Sequence, residues 1–307
     1  MQQRSIGSLS VSLVGIGCNN FGGRLDQHGT DLVVHAAIDE GMTLFDTADV
    51  YGDTQSEVFL GRALGSRRDQ VIVATKFGIP YEQEPGGASA SFIRHALTRS
   101  LERLGTDYVD LYQLHAPDPA TPIADTMGAL GELVAEGLVR EIGCSNFTPA
   151  MLSEANAAGP VPFSSVQNHY SLLFREPEQG LIELLEHDGI SLLPYYPLAN
   201  GLLTGKYAKG QDLPEGARLA IMPAERTELW LTDDLLDAVE RIRSVSQACG
   251  IDMVTLAFSW LAAKGCVSSV IAGASTPAQV QANAQAIIVL SDDVTAALDE
   301  AGASLLS

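Results

Sequence analysis

Hydrophobic and polar residues alternate along most of the chain in a regular rhythm. Short apolar runs, typical of buried strands, are followed by longer segments in which apolar residues recur at helical spacing. The clearest helix is predicted over 91–104, where Ile93, Leu97 and Leu101 share one face. Gly105 follows as a stop signal. The rhythm predicts strands and helices in strict alternation.

The predicted elements begin with a small hairpin over 4–11. Strands are predicted at 13–17, 43–45, 71–75, 108–114, 139–144, 165–166, 190–193 and 267–271. Helices are predicted at 31–39, 56–64, 91–104, 123–136, 149–157, 177–187, 232–248, 252–264, 277–286 and 293–301. A long loop rich in Gly and Pro is predicted at 199–227.

Alternating strands and helices imply an α/β protein with a parallel sheet. About eight strands in 307 residues match a closed (β/α)8 TIM barrel. We therefore predict one domain, 1–307, made of such a barrel with a short N-terminal β-hairpin and an extra C-terminal helix. The alternative is a doubly wound open sheet, but Gly15 and Gly17 do not complete its usual G-x-G-x-x-G fingerprint.

Composition narrows the class of protein. The chain carries 38 acidic residues against 18 Lys and Arg, a formal net charge of −20. This balance argues against nucleic acid and against anionic membrane surfaces, because both are bound largely by basic residues. No apolar stretch approaches the roughly 20 residues of a membrane helix. We therefore expect a soluble protein with no nucleic-acid or membrane partner.

The four cysteines, Cys18, Cys144, Cys249 and Cys266, form no C-x-x-C pair and no metal site is predicted. Buried thiols in a reducing compartment are the simplest interpretation. The first residues do not resemble a signal peptide. The expected location is the cytoplasm, and no pattern predicts an oligomeric state.

The predicted strands share one feature: each is apolar and then ends at side chains that can do chemistry. In a barrel all these ends face one mouth, where the active site lies. An acid, a lysine and a histidine among them indicate an active site rather than ordinary loop starts. The strand-end residues are Asp46, Lys76, His115, Ser145 with Asn146, Gln167 with Asn168, Tyr195 and Ser275.

Several motifs in the same order resemble the aldo-keto reductases over nearly the whole chain. They are FDTADVYG at 45–52, ATK at 74–76, DLYQLH at 110–115, IGCSNF at 142–147, YYPL at 195–198 and GLLTGKY at 201–207. The resemblance implies reduction of aldehydes or ketones to alcohols by hydride transfer, with a catalytic tetrad of Asp46, Tyr51, Lys76 and His115.

The chemistry of these four side chains agrees with that implied role. A carbonyl that accepts hydride develops negative charge on oxygen and needs a proton donor. Tyr51, with an ordinary pKa of about 10, becomes a stronger acid if a neighbouring ammonium stabilises its phenolate. Lys76 can do this while Asp46 holds it, and His115 can orient the carbonyl or relay the proton.

The cofactor implied by the resemblance is NADPH, with NADH as the alternative. Ser145, Asn146 and Gln167 would bind the carboxamide, Tyr195 would stack on the ring, and the adenosine end would lie at the helix near Pro277. The full implied set is Gly17, Cys18, Asn19, Asp46, Ser145, Asn146, Gln167, Tyr195, Tyr196, Pro197, Leu198, Ala199, Gly201, Leu202, Lys206, Arg218, Gly273, Ser275, Gln279 and Asn283.

Two departures from the family pattern affect the cofactor prediction. Tyr196 stands where a serine is usual beside the pyrophosphate. Gly273 and Gln279 occupy positions where many members carry Lys or Arg around the 2′-phosphate. Arg218, from the long loop, is the candidate for the missing cation, although it can also be a solvated loop residue.

Two other functions compete with the reductase. The family includes channel-associated β subunits, so a cofactor-holding regulatory or binding subunit with little turnover is one alternative. A lyase that uses Lys76 in a Schiff base is the other. The expected substrate is a small-molecule aldehyde or ketone, and a sugar, a steroid and a small aldehyde all remain open.

Its identity depends on the loops 22–29, 77–90, 117–122 and 199–227, with Phe77 or Tyr81 as further pocket candidates.

Overall fold

The computed structural model describes residues 1–81 and 84–303. An antiparallel hairpin, β1 (Gln3–Ile6) and β2 (Leu9–Ser12), opens the chain. Eight parallel strands follow in one sheet, in the spatial order β10-β3-β4-β5-β6-β7-β8-β9. They are β3 (Val14–Gly17), β4 (Leu44–Asp46), β5 (Ile72–Phe77), β6 (Val109–Leu114), β7 (Val139–Ser145), β8 (Ser165–Gln167), β9 (Ser191–Leu192) and β10 (Val270–Gly273).

Backbone hydrogen bonds close this sheet into a barrel. The Leu192 N–H donates to the Cys266 carbonyl at 2.7 Å, and the Ser268 N–H donates to the Leu192 carbonyl at 3.1 Å. These bonds join the segment that leads into β10 to β9, the strand at the opposite edge. The predicted (β/α)8 barrel is confirmed, and the doubly wound open sheet is excluded.

Helices surround the strands and follow them in sequence. They are α1 (Gln27–Asp39), α2 (Gln55–Leu64), α3 (Ala90–Leu104), α4 (Ile123–Ala135), α5 (Pro149–Ala158), α6 (Leu181–Asp188), α7 (Arg218–Ile221), α8 (Ala224–Glu228), α9 (Asp233–Cys249), α10 (Met253–Ala262), α11 (Pro277–Gln285) and α12 (Asp292–Ala303). Short 3-10 helices lie at Gly65–Gln70, Glu176–Glu178 and Ala199–Thr204.

The structure corrects two predicted elements. The helix predicted at 177–187 begins only at Leu181, because Gly180 has a left-handed backbone (φ 88°) that breaks the segment. The long loop predicted at 199–227 contains a 3-10 helix and the short helices α7 and α8. Their contacts fix them: the Leu219 N–H donates to the Tyr207 hydroxyl at 3.2 Å, and the Thr227 hydroxyl donates to the Leu219 carbonyl at 3.0 Å.

The hairpin closes one end of the barrel. Ile6, Leu9 and Val11 pack against inward-facing strand residues that include Leu44 and Leu111. Burial of these apolar side chains fixes the hairpin in place. The mouth formed by the carboxyl ends of the strands is therefore the end left for a ligand.

The predicted extra C-terminal helix is also present. α12 packs against α9, and its Asp299 accepts a hydrogen bond from the indole N–H of Trp260 at 2.9 Å. In the described part of the chain no single helix is long and apolar enough to cross a membrane, and only α9 and α10 taken together, bent by 96°, meet that length and composition.

Candidate active site

The four residues of the predicted tetrad meet at the barrel mouth. β4 ends at Asp46, and β5, paired beside it, carries Lys76. His115 follows β6, and its N–H donates to the Phe77 carbonyl at 2.9 Å. Tyr51 lies on a tight turn after β4, where its N–H donates to the Ala48 carbonyl at 3.3 Å. Neighbouring strands thus bring together residues that are far apart in sequence.

The ammonium of Lys76 is the centre of this group. Its side chain is fully buried, and Nζ donates to Asp46 Oδ2 at 2.7 Å and to the Thr47 carbonyl at 2.9 Å. The third contact is the Tyr51 hydroxyl oxygen, 3.4 Å from Nζ. An ammonium has three N–H donors, and each of them has an acceptor here.

The groups around Lys76 determine whether its amine is protonated. Burial alone would lower the pKa of Lys76, but the Asp46 carboxylate and Tyr51 outweigh it and the pKa is raised. The amine is therefore held as a cation. This argues against the Schiff-base lyase, because a Schiff base needs the neutral amine as nucleophile.

Tyr51 departs from the sequence-based expectation. Lys76 favours the phenolate as predicted, but burial opposes it more strongly, and the pKa of Tyr51 is raised. The expected fall in the pKa of Tyr51 is therefore wrong for this structure. The tyrosine is held protonated, which is the form a proton donor needs.

His115 lies edge-on to Tyr51, with ring centroids 5.7 Å apart. Burial and the nearby Lys76 charge lower the pKa of His115 to about 3, so its imidazole is neutral at ordinary pH. Its Nδ1 is buried with no hydrogen-bond partner among the described residues. Because a buried lone pair without a partner is tolerated better than a buried N–H, the proton is assigned to Nε2.

Two glutamines at the barrel centre complete the environment of Asp46. Its Oδ1 accepts from Gln113 Nε2 at 3.1 Å and from Gln167 Nε2 at 2.8 Å. Gln167 was predicted as a cofactor ligand, whereas Gln113 was not singled out. A polar side chain next to the last residue of β6 was the only signal for it.

A large cavity of about 1110 Å³ opens beside the tetrad. Asp46, Tyr51 and His115 line it, while Lys76 lies beneath the surface. Most predicted cofactor residues also line it: Gly17, Asn19, Asp46, Ser145, Asn146, Gln167, Tyr195, Tyr196, Pro197, Leu198, Gly201, Lys206, Arg218, Gly273, Ser275, Gln279 and Asn283.

The structure does not place three predicted cofactor residues on the cavity wall. Cys18, Ala199 and Leu202 have fully buried side chains in the hydrophobic core. Phe77 is also in the core, where it stacks on Tyr112 with ring centroids 4.6 Å apart. Neither Phe77 nor Tyr81 lines the cavity, and Ile79 lies there instead.

Hydrogen bonds fix the polar side chains at the tetrad end of the cavity. Ser145 Oγ donates to the Gln167 carbonyl at 2.7 Å. Asn146, in the left-handed region (φ 62°), accepts from the Tyr195 hydroxyl at 2.8 Å and donates to the His115 carbonyl at 3.0 Å. A small polar left-handed residue at such a site is typical of functional turns.

Three cations line the cavity: Arg24, Lys206 and Arg218. Within 1–81 and 84–303, no carboxylate forms an ion pair with any of them, despite the acidic chain. Burial and the nearby charges of Arg24 and Arg218 lower the pKa of Lys206. Clustered cations of this kind are a favourable site for a phosphate-bearing ligand.

Sequence reasoning missed Arg24 and several other lining residues. Arg24 Nη2 donates to the Gly216 carbonyl at 2.9 Å, and Asn20 Nδ2 donates to the Ala274 carbonyl at 3.3 Å. The loop after β3 therefore contacts both the long loop and the end of β10. The other missed residues are Ile79, Thr204, Pro214, Glu215, Gly216, Ala217, Asp252, Val254, Thr255, Ile271, Ala272, Ala274, Ala282, Gln285 and Ala286.

Comparison with known proteins agrees with this geometry. The model of the aldo/keto reductase family matches residues 13–303. The chain is 33% identical to a probable voltage-gated potassium channel subunit beta of Arabidopsis thaliana, covering 94% of this chain and 92% of that one. It is 34% identical to the aldo-keto reductase yakc [NADP(+)] of Schizosaccharomyces pombe, covering 85% and 79%.

An NADH-specific methylglyoxal reductase of Escherichia coli K12 is 33% identical and covers 94% of both chains. Among solved structures, an aldo-keto reductase from Bacillus halodurans in its holo form superposes with a TM-score of 0.81. That structure is 32% identical and covers 98% of this chain and 96% of its own. The chain therefore belongs to the aldo-keto reductase family, whose reaction is reduction of a carbonyl group with a nicotinamide cofactor.

Proposed function

We propose that this protein reduces small aldehydes or ketones to alcohols with NADPH, and that Tyr51 is the general acid. The observation that carries the proposal is the Tyr51 hydroxyl, held 3.4 Å from the buried ammonium of Lys76 on the cavity wall. A phenol and an ammonium at this spacing form a proton donor whose anion is stabilised once it forms.

Each tetrad residue has a defined task in this proposal. A reduced nicotinamide, when bound, would supply hydride to the carbonyl carbon. Tyr51 gives its proton to the carbonyl oxygen as charge develops there, and Lys76 then faces the phenolate that remains. Asp46 keeps Lys76 charged and oriented.

His115 positions the carbonyl rather than carrying charge. Its neutral ring leaves the Nε2–H as the donor toward the cavity, beside the Tyr51 hydroxyl. Two donors directed at one oxygen form the kind of site that stabilises an oxyanion.

The chain's own residues fit a dinucleotide. Asn200 Oδ1 is buried at the cavity with no partner among the described residues, so it is an acceptor left for a ligand. The three cations on the cavity wall suit phosphates, and Ser145, Asn146 and Gln167 would hold a carboxamide at the tetrad end. Tyr195 forms an aromatic wall beside them.

The choice of NADPH rests on Arg218, which lines the cavity. Gln279 contributes no charge, and its Oε1 already accepts from Ser275 N at 2.8 Å. The guanidinium of Arg218 lies over the Tyr196 ring, 5.7 Å from its centroid, which directs it along the cavity wall. One relative named above is an NADP(+) reductase and another is NADH-specific. The preference for NADPH is therefore argued from the residues of this chain alone.

The alternative is a regulatory subunit that holds the cofactor with little turnover, as the name of the Arabidopsis relative suggests for that protein. The assembled tetrad favours the reductase. The experiment is to mix purified protein with NADPH and 4-nitrobenzaldehyde and to measure NADPH loss and alcohol formed. The reductase produces one alcohol per NADPH consumed, whereas tight NADPH binding without turnover across a broad carbonyl panel would support the regulatory subunit.

A further inference from the structure

A second cleft lies next to the tetrad, and the proposed chemistry does not use it. It has a volume of about 520 Å³ and is lined by residues of 78–80, 85–89 and 116–121. We call it the tail cleft. Ile79 lines both the tail cleft and the main cavity, so the two spaces share a wall.

The tail cleft is fixed to the catalytic strand ends. Its walls are the loops after β5 and β6, and the lining begins two residues after Lys76 and one residue after His115. These strand ends are joined, because the His115 N–H donates to the Phe77 carbonyl at 2.9 Å. The lining of the tail cleft includes Ala116, the residue after His115, so a molecule whose carbonyl oxygen lies at Tyr51 and His115 has the tail cleft beside it.

The walls of the tail cleft are mainly apolar. Gly, Ala, Pro and Ile supply most of the described lining, and Asp118 is the charged side chain in it. The Asp118 carboxylate is already engaged: Oδ2 accepts from Ala88 N at 2.8 Å and from Thr121 Oγ1 at 2.7 Å, and Oδ1 accepts from Ala120 N at 2.9 Å. The bond from Thr121 lowers the pKa of Asp118, so its negative charge persists.

The tetrad end of the main cavity also lacks a free cation in the described structure. Lys76 is buried and paired with Asp46. The other charged lining residues belong to the dinucleotide end, on the loop after β3, the long loop and the start of α10: Arg24, Lys206, Glu215, Arg218 and Asp252. A substrate carboxylate or phosphate would therefore meet Asp118 and no unpaired cation.

We infer that the substrate of this reductase is an uncharged carbonyl compound whose extended apolar group lies in the tail cleft. The inference rests on the proposed function and names the substrate class for that same site. Apolar contact there stabilises the bound substrate in proportion to the apolar area removed from water.

The test uses a series of straight-chain aldehydes from propanal to octanal, with identical reacting groups. Each methylene that is fully buried raises kcat/KM by about fourfold, so we expect a rise of at least about tenfold across the series. Butanal is compared with succinic semialdehyde, which has the same chain length and a carboxylate. We expect the charged aldehyde to be at least about tenfold poorer.

Two variants test whether the dependence of kcat/KM on aldehyde length arises in the tail cleft. Ala116→Leu fills the tail cleft and is expected to lower kcat/KM for octanal about tenfold with propanal changed by less than about twofold. Ala120→Phe tests the same cleft from an exposed position, in case the half-buried Ala116 does not tolerate Leu. Ala150→Leu, exposed on α5 and outside both cavities, is the matched control.

This inference is overturned if kcat/KM is the same for all aldehydes of the series. It is also overturned if both cleft variants lower kcat/KM equally for propanal and octanal. Either result leaves the proposed function intact, because the aldehydes are still reduced. Faster reduction of succinic semialdehyde than of butanal would also overturn this inference. Absence of turnover with every aldehyde would instead overturn the proposed function, and this inference with it.

Discussion

The Lys76 ammonium and the Asp46 carboxylate, 2.7 Å apart and both almost completely buried, are the ion pair on which the candidate active site is built. Asp46 binds Lys76 through one oxygen and two glutamines through the other. A buried pair of this kind costs desolvation free energy on both sides. Its presence at the barrel mouth is explained by chemistry rather than by stability.

This ion pair predicts that stability can be recovered in a double variant while activity is not. Lys76→Met and Asp46→Asn should each lower the free energy of unfolding, by about 3 kcal/mol or more, because each leaves a buried group without its partner. The double variant should recover most of that loss, since an amide and a thioether carry no charge. All three should remain nearly inactive. Urea unfolding and kcat are measured on the same samples of the wild type and the three variants. Recovery of activity in the double variant would contradict the roles assigned to Lys76 and Asp46.

Asp49 predicts a pH dependence of stability. Its carboxyl is fully buried, and neither oxygen has a hydrogen-bond partner among the described residues. Burial, and then the neighbouring Glu57, raise the pKa of Asp49 to about 7. The folded state therefore holds this proton more tightly than the unfolded chain, and stability is lost as pH rises from about 4 to 7.

Asp49→Asn removes this ionisation and should make the protein more stable than the wild type at pH 8, by up to about 4 kcal/mol. The difference should shrink toward pH 5, where the wild-type carboxyl is protonated in the folded state. Melting temperatures of both proteins over this range provide the measurement. Asp53→Asn, at an exposed position on the same loop, is the control. A stability difference that does not depend on pH would show that ionisation of Asp49 is not its origin.

Arg218 predicts cofactor selectivity. If its guanidinium binds the 2′-phosphate, Arg218→Ala should raise KM for NADPH about 10-fold to 100-fold, the loss of one charge-assisted hydrogen bond. KM for NADH should change by less than about threefold. Arg226→Ala, on an exposed arginine of α8, controls for charge in the same region. Equal effects on the two cofactors would remove Arg218 from the phosphate site.

Arg24 predicts a different effect on the same ligand. Its hydrogen bond to the Gly216 carbonyl, 2.9 Å long, holds the long loop across the cavity. Arg24→Ala should speed the release of NADPH and NADH by similar factors, about tenfold, because the bond acts on the loop. Stopped-flow fluorescence of cofactor release measures this. An increase confined to NADPH would show instead that Arg24 binds the 2′-phosphate itself.

The fold could be predicted because local and global signals agree. Most barrel strands are mainly apolar, and each of the long helices has an amphipathic pattern or a clear stop, as at Gly105 after α3. The short helices α7 and α8 could not be predicted, because they depend on contacts of Tyr207 and Thr227 with distant backbone rather than on periodicity.

The candidate site was predictable where a residue stands at a strand end. Asp46, Lys76 and His115 do, and the topology brings them together. Arg24 does not, because its position over the cavity depends on how two loops meet. Cys18, Ala199 and Leu202 adjoin residues of the cavity wall, but neighbours in sequence point to different sides, and their side chains enter the core. The raised pKa of Tyr51 could not be predicted either, because the motif does not show how deeply the side chain is buried.

The central claim, that the phenol of Tyr51 supplies the proton for carbonyl reduction, is tested most directly by single-turnover kinetics. Protein saturated with NADPH is mixed with 4-nitrobenzaldehyde, and NADPH oxidation is followed in the wild type, in Tyr51→Phe and in the surface control Tyr108→Phe. We expect Tyr51→Phe to slow oxidation by about 10²-fold to 10⁴-fold with NADPH affinity unchanged and Tyr108→Phe at the wild-type rate. Oxidation of NADPH at the wild-type rate in Tyr51→Phe would contradict the account.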